Sequence, residues 1–327
     1  MKKIILVLWV VAVFMACNTN GPQNTNAIDT TTLTKTVVPS FNQDSALSYV
    51  KSQLDFGPRV PSTPGHEACG DYIVARLKAF NAQVVEQKAP ITTFDGKTHT
   101  LRNIIGSYKA ENSQRVLLMA HWDTRPFADN SPDSIRMKPI PGANDGASGV
   151  AVLLEIARAI SQQAPNVGVD IVFFDLEDYG APRWSTNQAV ETWCLGSQYW
   201  AKKPHVERYT ARFGVLVDMV GAPGATFTRE ALSMHFAEST VNKVWTAAGE
   251  LGYGNYFSYD KTPQIIDDHM FVNQIANIPS IDIIHHDETS ENYFGSYWHT
   301  HDDNFAAVDA ATLRAVGQTL LKVIYNE

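Results

Sequence analysis

Ile171-Val172-Phe173-Phe174-Asp175-Leu176-Glu177-Asp178 changes character halfway: four large apolar residues without a break, then three acids in four positions. A short continuous apolar run suits a strand buried on both faces, because a strand with one wet face alternates apolar and polar residues. The same construction recurs. Val116-Leu117-Leu118-Met119-Ala120 ends in His121, Val215-Leu216-Val217 ends in Asp218, and Ile281-Asp282-Ile283-Ile284 leads into His285. Helical patterns separate or follow these runs at 147–161, 239–251 and 310–324. The alternation predicts an α/β three-layer sandwich, with a central mixed, mostly parallel sheet covered by helices. In open sheets of this kind ligands bind beyond the carboxyl ends of the strands. That is where this chain concentrates its polar residues.

Upstream, 44–54 reads as an amphipathic helix closed by Phe56-Gly57-Pro58. Thr63-Pro64 then supplies an N-cap and a first-turn proline for a helix running to about residue 80. Residues 18–40 read as a tether. Asn and Thr make up about half of it, and large apolar side chains are few, so it cannot offset its ordering entropy. Residues 1–17 carry Lys2 and Lys3 ahead of an apolar stretch from Ile4 to Ala16, too short to span a bilayer but suited to an export signal. Phe14-Met15-Ala16-Cys17 resembles a bacterial lipobox, with Phe14 where Leu is usual. The expectation is an exported protein, periplasmic or tethered to a membrane through lipidated Cys17. Ordinary signal cleavage with Cys17 incidental is the alternative. Residues 41–327 are then a single catalytic domain.

The 327 residues carry a formal charge of −8, and no basic run offsets it, which argues against nucleic acid as a partner. Cys69 and Cys194 remain beyond Cys17, and their pairing is open; the absence of a CxxC excludes a zinc ribbon. There is no GxSxG elbow, Walker loop or GxGxxG after a strand. His66-Glu67-Ala68-Cys69-Gly70 begins like a zinc-binding helix, but Gly70 stands where the second His belongs, so a structural role is expected.

His121, Asp145, Glu177, Asp178, Asp218 and His299 each have an ordinary explanation taken singly. Asp145 would serve as an N-cap, His121 as a bonded strand-end residue, Asp218 as a turn former. Together, carboxylates and imidazoles at strand ends and loops read as a zinc site with oxygen and nitrogen ligands. Of two adjacent acids past a strand, one can bind metal while the other stays free as a base.

At this point the sequence resembles the zinc aminopeptidase-like family, and within it the animal-type glutaminyl-peptide cyclotransferases, or glutaminyl cyclases. The resemblance runs from about Gly57 to the C-terminus. It rests on Gly142-Ala143-Asn144-Asp145-Gly146-Ala147-Ser148-Gly149, Phe173 to Asp178, Gly221-Ala222-Pro223, Asp267-Asp268-His269 and Trp298-His299-Thr300-His301-Asp302-Asp303-Asn304. It implies one zinc per chain, held by Asp145, Asp178 and His299. Glu177 would be the general acid/base, with Asp218 and Asp267 a hydrogen-bonded carboxylate pair near the reacting amide. Trp184 and Trp298 would line the substrate pocket. The implied reaction converts the N-terminal glutamine of peptides or proteins to pyroglutamate, releasing ammonia. Asp178 departs from the animal members, which have Glu there. The metal motifs are shared with dinuclear aminopeptidases, whose ligand positions His121, Asp145, Asp178, Asp218 and His299 would fill; hydrolysis of N-terminal residues is therefore the alternative activity.

Overall fold

The four apolar runs become four neighbouring parallel strands. The computed structural model describes residues 37–132 and 134–327; the export signal, Cys17 and most of the tether lie outside the described residues. The strands are β1 (Gln83–Thr92), β2 (Thr98–Tyr108), β3 (Arg115–His121), β4 (Gly168–Phe174), β5 (Phe213–Asp218), β6 (Phe227–Glu230), β7 (Phe257–Thr262) and β8 (Ser280–Ile284). Six form one sheet in the order β1-β2-β4-β3-β5-β8, while β6 and β7 pair separately. β4, β3, β5 and β8 run parallel, and β1 and β2 close one side antiparallel. The expected mixed, mostly parallel sheet is present. β1 escapes the sequence pattern because most of it is exposed or half-buried and carries no apolar run, and β2 because polar residues interrupt its buried stretch.

The helices are α1 (Gln43–Leu54), α2 (Pro64–Ala79), α3 (Ala147–Gln162), α4 (Leu195–Lys202), α5 (Ala231–Glu250), α6 (Asp268–Phe271) and α7 (Ala310–Tyr325). Thr63 caps α2 by accepting from the His66 amide, with Pro64 in the first turn, as its residue types require. α5 begins eight residues before its sequence pattern, and a non-helical Ala237 interrupts it. No helix among the described residues is long and apolar enough to cross a membrane.

Alternation along the buried strands fills two cores. Val116, Leu118 and Ala120 of β3 face one with α1, α2, α3, α5 and α7, whereas Leu117 and Met119 face the other with Trp200 and Ala201 of α4. α3 lies close against the sheet at Gly149, where a Cβ would fall 2.3 Å from the Val217 carbonyl oxygen. A side chain there would push the helix off the strands, which is one physical reason for the small residues around 146–149.

The amino ends of the strands are tied by a charge. Asp170 on β4 is buried and receives Nε and Nη2 of Arg115 on β3 at 2.6 and 2.7 Å, Ser107 Oγ at 2.6 Å and Tyr209 Oη at 2.7 Å. Burial alone would raise its pKa, but the nearby His205 imidazole and the bonds from Arg115, Ser107 and Tyr209 outweigh that and hold it below the ordinary carboxylate range. A depressed carboxylate contributes stability above its unfolded pKa of about 3.9, and that stability is lost as pH falls through the lower folded value. Asp170→Asn should cost about 3–5 kcal/mol at neutral pH, the range for breaking a buried ion pair. Urea titrations at pH 7 and pH 3 should show the deficit shrinking in acid; an equal deficit at both values would refute the assignment.

Candidate active site

Three ligand-type side chains meet at the carboxyl end of the sheet. Asp145 stands just before α3, Asp178 lies four residues past β4, and His299 sits in the turn after 285–298. Their donor atoms lie within 4.8 Å of one another and all three residues are buried. His299 Nε2 is 3.2 Å from Asp178 Oδ1 and 3.8 Å from Asp145 Oδ2. The remaining oxygen, Asp178 Oδ2, is buried with no hydrogen-bond partner, as expected of an atom whose partner is a cation. Burial, with Arg125 nearby, pushes the His299 imidazole down to about 3, so it is neutral with a free lone pair at pH 7. Two carboxylates and a neutral imidazole fit zinc with an open position. The simple alternative for Asp145 fails, since Gly146 occupies the N-cap position of α3 and no side chain caps the helix.

A second donor set, His121, Asp145 and Asp218, shares Asp145 with the first. His121 Nε2 lies 3.1 Å from both Asp145 Oδ1 and Asp218 Oδ1. Burial disfavours its charge, but Asp218, Asp123 and Asp145 outweigh that and hold it well above the ordinary histidine range. Here it acts as a cation among carboxylates.

Two buried aspartates set the backbone of the site. Asp123 accepts from the amides of Glu177 and Asp178 at 3.1 and 3.2 Å, one on each carboxylate oxygen. Asp303 does the same for Asn144 and Asp145, at 2.7 and 3.0 Å. Each acid–ligand segment is thus fixed by a carboxylate that does not reach the cavity. Arg125, fully buried, pairs with Asp129 through two 2.7 Å bonds and donates to the Asp178 carbonyl at 2.9 Å. Asp175 accepts from His66, Leu176 and Arg102, which gives both it and the near-miss His66-Glu67 helix a structural role. Left-handed backbone at Leu176, Cys194, Met219 and His299 is concentrated here. Non-glycine residues adopt it at a cost, and such conformations gather where side chains must be aimed.

Glu177 faces a cavity of about 70 Å³ whose walls include Trp193, Trp298, Phe294 and Ile265. The His299 ring lies between two indoles, stacked at 3.9 Å on Trp298 and parallel to Trp193 at 6.1 Å. Trp184 is placed elsewhere. It is 38% exposed, packs edge-on against Phe127 and sits under the Arg136 guanidinium. The second indole of the pocket is Trp193, which sequence reasoning missed because 184–194 loops back before α4. Nor are Asp218 and Asp267 bonded as a pair: Asp218 is held by His121, and Asp267 accepts from the Asp268 amide at 2.5 Å. They interact through charge alone, which together with burial raises Asp267 to about 7. Glu177 is raised well above the usual range by burial, then by Asp267, Asp178 and Asp268 against the opposing charge of His121. Cys194 donates its thiol hydrogen to Glu177 Oε1 at 3.2 Å; it and Cys69 are both free and buried, so they do not pair.

The model of peptidase family M28 matches residues 103–324. A zinc-dependent exopeptidase from Parabacteroides distasonis is 54% identical, covering 89% of this chain and 100% of its own, with a TM-score of 0.88. The glutaminyl cyclase of Bacteroides thetaiotaomicron, solved with N-acetylhistamine, is 52% identical over the same shares, with a TM-score of 0.87. The glutaminyl-peptide cyclotransferase of Drosophila melanogaster is 26% identical over 307 residues, 84% of this chain and 80% of the other.

Asp123→Ala tests the backbone clamp without touching a ligand. It should lower zinc affinity by about 10–100-fold, the usual effect of losing an outer-shell partner. Competition with a chelator reads the affinity, and near-ultraviolet circular dichroism checks the fold. Unchanged affinity in a folded variant would refute the clamp.

Proposed function

The chain belongs to peptidase family M28, and from that premise we propose that it is a zinc-dependent glutaminyl-peptide cyclotransferase, closing the N-terminal glutamine of peptides or proteins to pyroglutamate. One observation carries the reading: a proton-accepting Glu177 beside the Asp145–Asp178–His299 set, in a small indole-walled cavity that accommodates a short side chain. Similarity both to bacterial glutaminyl cyclases and to animal glutaminyl-peptide cyclotransferases supports it over peptide hydrolysis.

Asp145, Asp178 and His299 would hold one zinc per chain, and that ion would supply polarisation of the substrate's side-chain amide and stabilisation of negative charge on the amide oxygen. The α-amine attacks its own Cδ, forming the ring C–N bond as the Cδ–Nε bond breaks. Glu177 takes the proton lost by the amine and returns it to the departing nitrogen, which leaves as ammonia. A single carboxylate serves both transfers because its raised pKa lies nearer neutrality. Asp267 and Asp218 border the same cavity, and the charge of Asp267 adds to burial in keeping Glu177 basic. Trp298 and Trp193 hold the chain folded and exclude water, so that ring closure competes with hydrolysis. Asp178 takes the position of the longer Glu in animal members, braced from behind by Arg125. Export and a tether through lipidated Cys17 place the domain, residues 41–327, outside the cytoplasm, where it meets the N-termini of secreted chains.

A peptide beginning with Gln should lose ammonia on incubation and one beginning with Leu should stay intact; cleavage of the Leu peptide instead would favour the aminopeptidase. Glu177→Gln should retain zinc and lose at least about 10²–10⁴-fold in turnover, and a tenth of wild-type kcat remaining would remove Glu177 as the base. His121→Ala should leave zinc near one per chain by elemental analysis. Two zincs in the wild type falling to one in the variant would establish the dinuclear enzyme.

A further inference from the structure

The segments that build the active site continue outward. Residues 263–266 lead from β7 to Asp267, and 285–298 lead from β8 to Trp298 and His299. Between them lies a second cavity of about 250 Å³ that shares Ile265, Ile266 and Phe294 with the active-site cavity and adds Gln264 and Tyr293. It adjoins a third of about 660 Å³, bordered by Asp260, Lys261, Asp287 and Glu288. His286 lines both. It is only 6% exposed, stacks on Tyr293 at 5.6 Å and leaves Nδ1 without a hydrogen-bond partner. The sequence runs apolar near the reacting centre and acidic beyond it, three carboxylates against one lysine.

We propose that these two cavities bind the peptide beyond the reacting glutamine: an apolar or aromatic side chain at the next position against Ile265, Phe294 and Tyr293, and basic side chains further on against Asp260, Asp287 and Glu288. The proposal rests on the cyclase reading and names the substrate class, Gln-initiated chains with an apolar second residue followed by Lys or Arg. The occupant follows from continuity. A chain whose N-terminal side chain fills the inner cavity must leave by its mouth, and Ile265, Ile266 and Phe294 belong to both mouth and second cavity. An extended peptide advances about 3.3–3.5 Å per residue, so a few residues suffice to reach the acidic groups. Asp287 is held ionised by bonds from Thr289, its pKa below the ordinary range. Asp260 and Glu288 are exposed and Asp287 is half-buried, so their contribution is modest, salt-sensitive and directed at selectivity rather than chemistry.

Three substrates test it: glutaminamide, which reaches only the inner cavity, and the amidated peptides Gln-Phe-Lys-Lys and Gln-Phe-Glu-Glu. The basic peptide should show a kcat/KM about 10-fold above the acidic one at low salt, shrinking as salt rises. Asp260→Asn combined with Glu288→Gln should bring the two within about 2-fold while leaving glutaminamide unchanged. Tyr293→Asn, a residue that tolerates the left-handed backbone there, should lower kcat/KM for both Gln-Phe peptides relative to glutaminamide. Equal kcat/KM for the two peptides in the wild type would overturn the proposal. Calorimetric binding of pyroglutamyl-Phe-Lys-Lys and pyroglutamyl-Phe-Glu-Glu to Glu177→Gln separates the two readings. No ammonia from any substrate, with tighter binding of the basic product, sinks the cyclase and keeps the groove. Ammonia release with no difference in binding sinks the groove and keeps the cyclase.

Discussion

Carboxylates crowd the carboxyl end of the sheet faster than cations arrive to neutralise them. Asp145, Asp178, Asp218, Asp267 and Asp268 are all buried there, with Glu177 among them, and Arg125, His121 and His299 are the basic side chains in contact. Isolated buried charge is too costly to persist, so such a cluster must hold protons, pair with cations or take up a metal. The first two responses occur and the donors for the third are in place: Asp267 and Glu177 have raised pKa values, His121 is drawn toward its charged form, and the neutral His299 with the orphaned Asp178 oxygen forms a candidate metal site. The proton-holding acid and the candidate metal-binding set are therefore two outcomes of one electrostatic excess.

That excess has to be held in place by something other than the acids themselves. The parallel strands deliver His121, Asp218 and the 175–178 loop to one edge, and the hydrophobic cores on both faces keep those strand ends from moving apart. Asp123 and Asp303 then fix the peptide planes that carry Glu177, Asp178 and Asp145, leaving few degrees of freedom beyond the side-chain rotamers. The left-handed residues beside these positions are the conformational cost of aiming several side chains at one point. Preorganisation of this kind matters most for an intramolecular ring closure, where the barrier lies in orientation and charge rather than in activating water.

The same loops serve chemistry and selection. Because 263–266 and 285–298 each end in an active-site residue, any peptide leaving the inner cavity passes between the segments that position Asp267, Trp298 and His299. Substrate contacts outside the cavity are thereby coupled by covalent continuity to the residues at its floor.

The sequence by itself determined the four parallel strands of the sheet and the residue types at their carboxyl ends. Continuous apolar runs ending in His or Asp dictate doubly buried strands with polar ends, since no other short element buries both faces; β3, β4, β5 and β8 follow directly. It also determined that Glu177 and Asp178 stand together past β4, because adjacency is a covalent fact. The tertiary structure alone decided which indole enters the pocket. Trp184 and Trp193 lie in one irregular segment with no periodicity to orient them, and the turn at left-handed Cys194 brings Trp193 parallel to the His299 ring while Trp184 packs on Phe127. It also decided that Asp218 pairs with His121 rather than Asp267, and that Asp123 and Asp303 are clamps. Those assignments depend on distances between residues tens to hundreds of positions apart, set by how the strand ends pack, and local sequence carries no record of them.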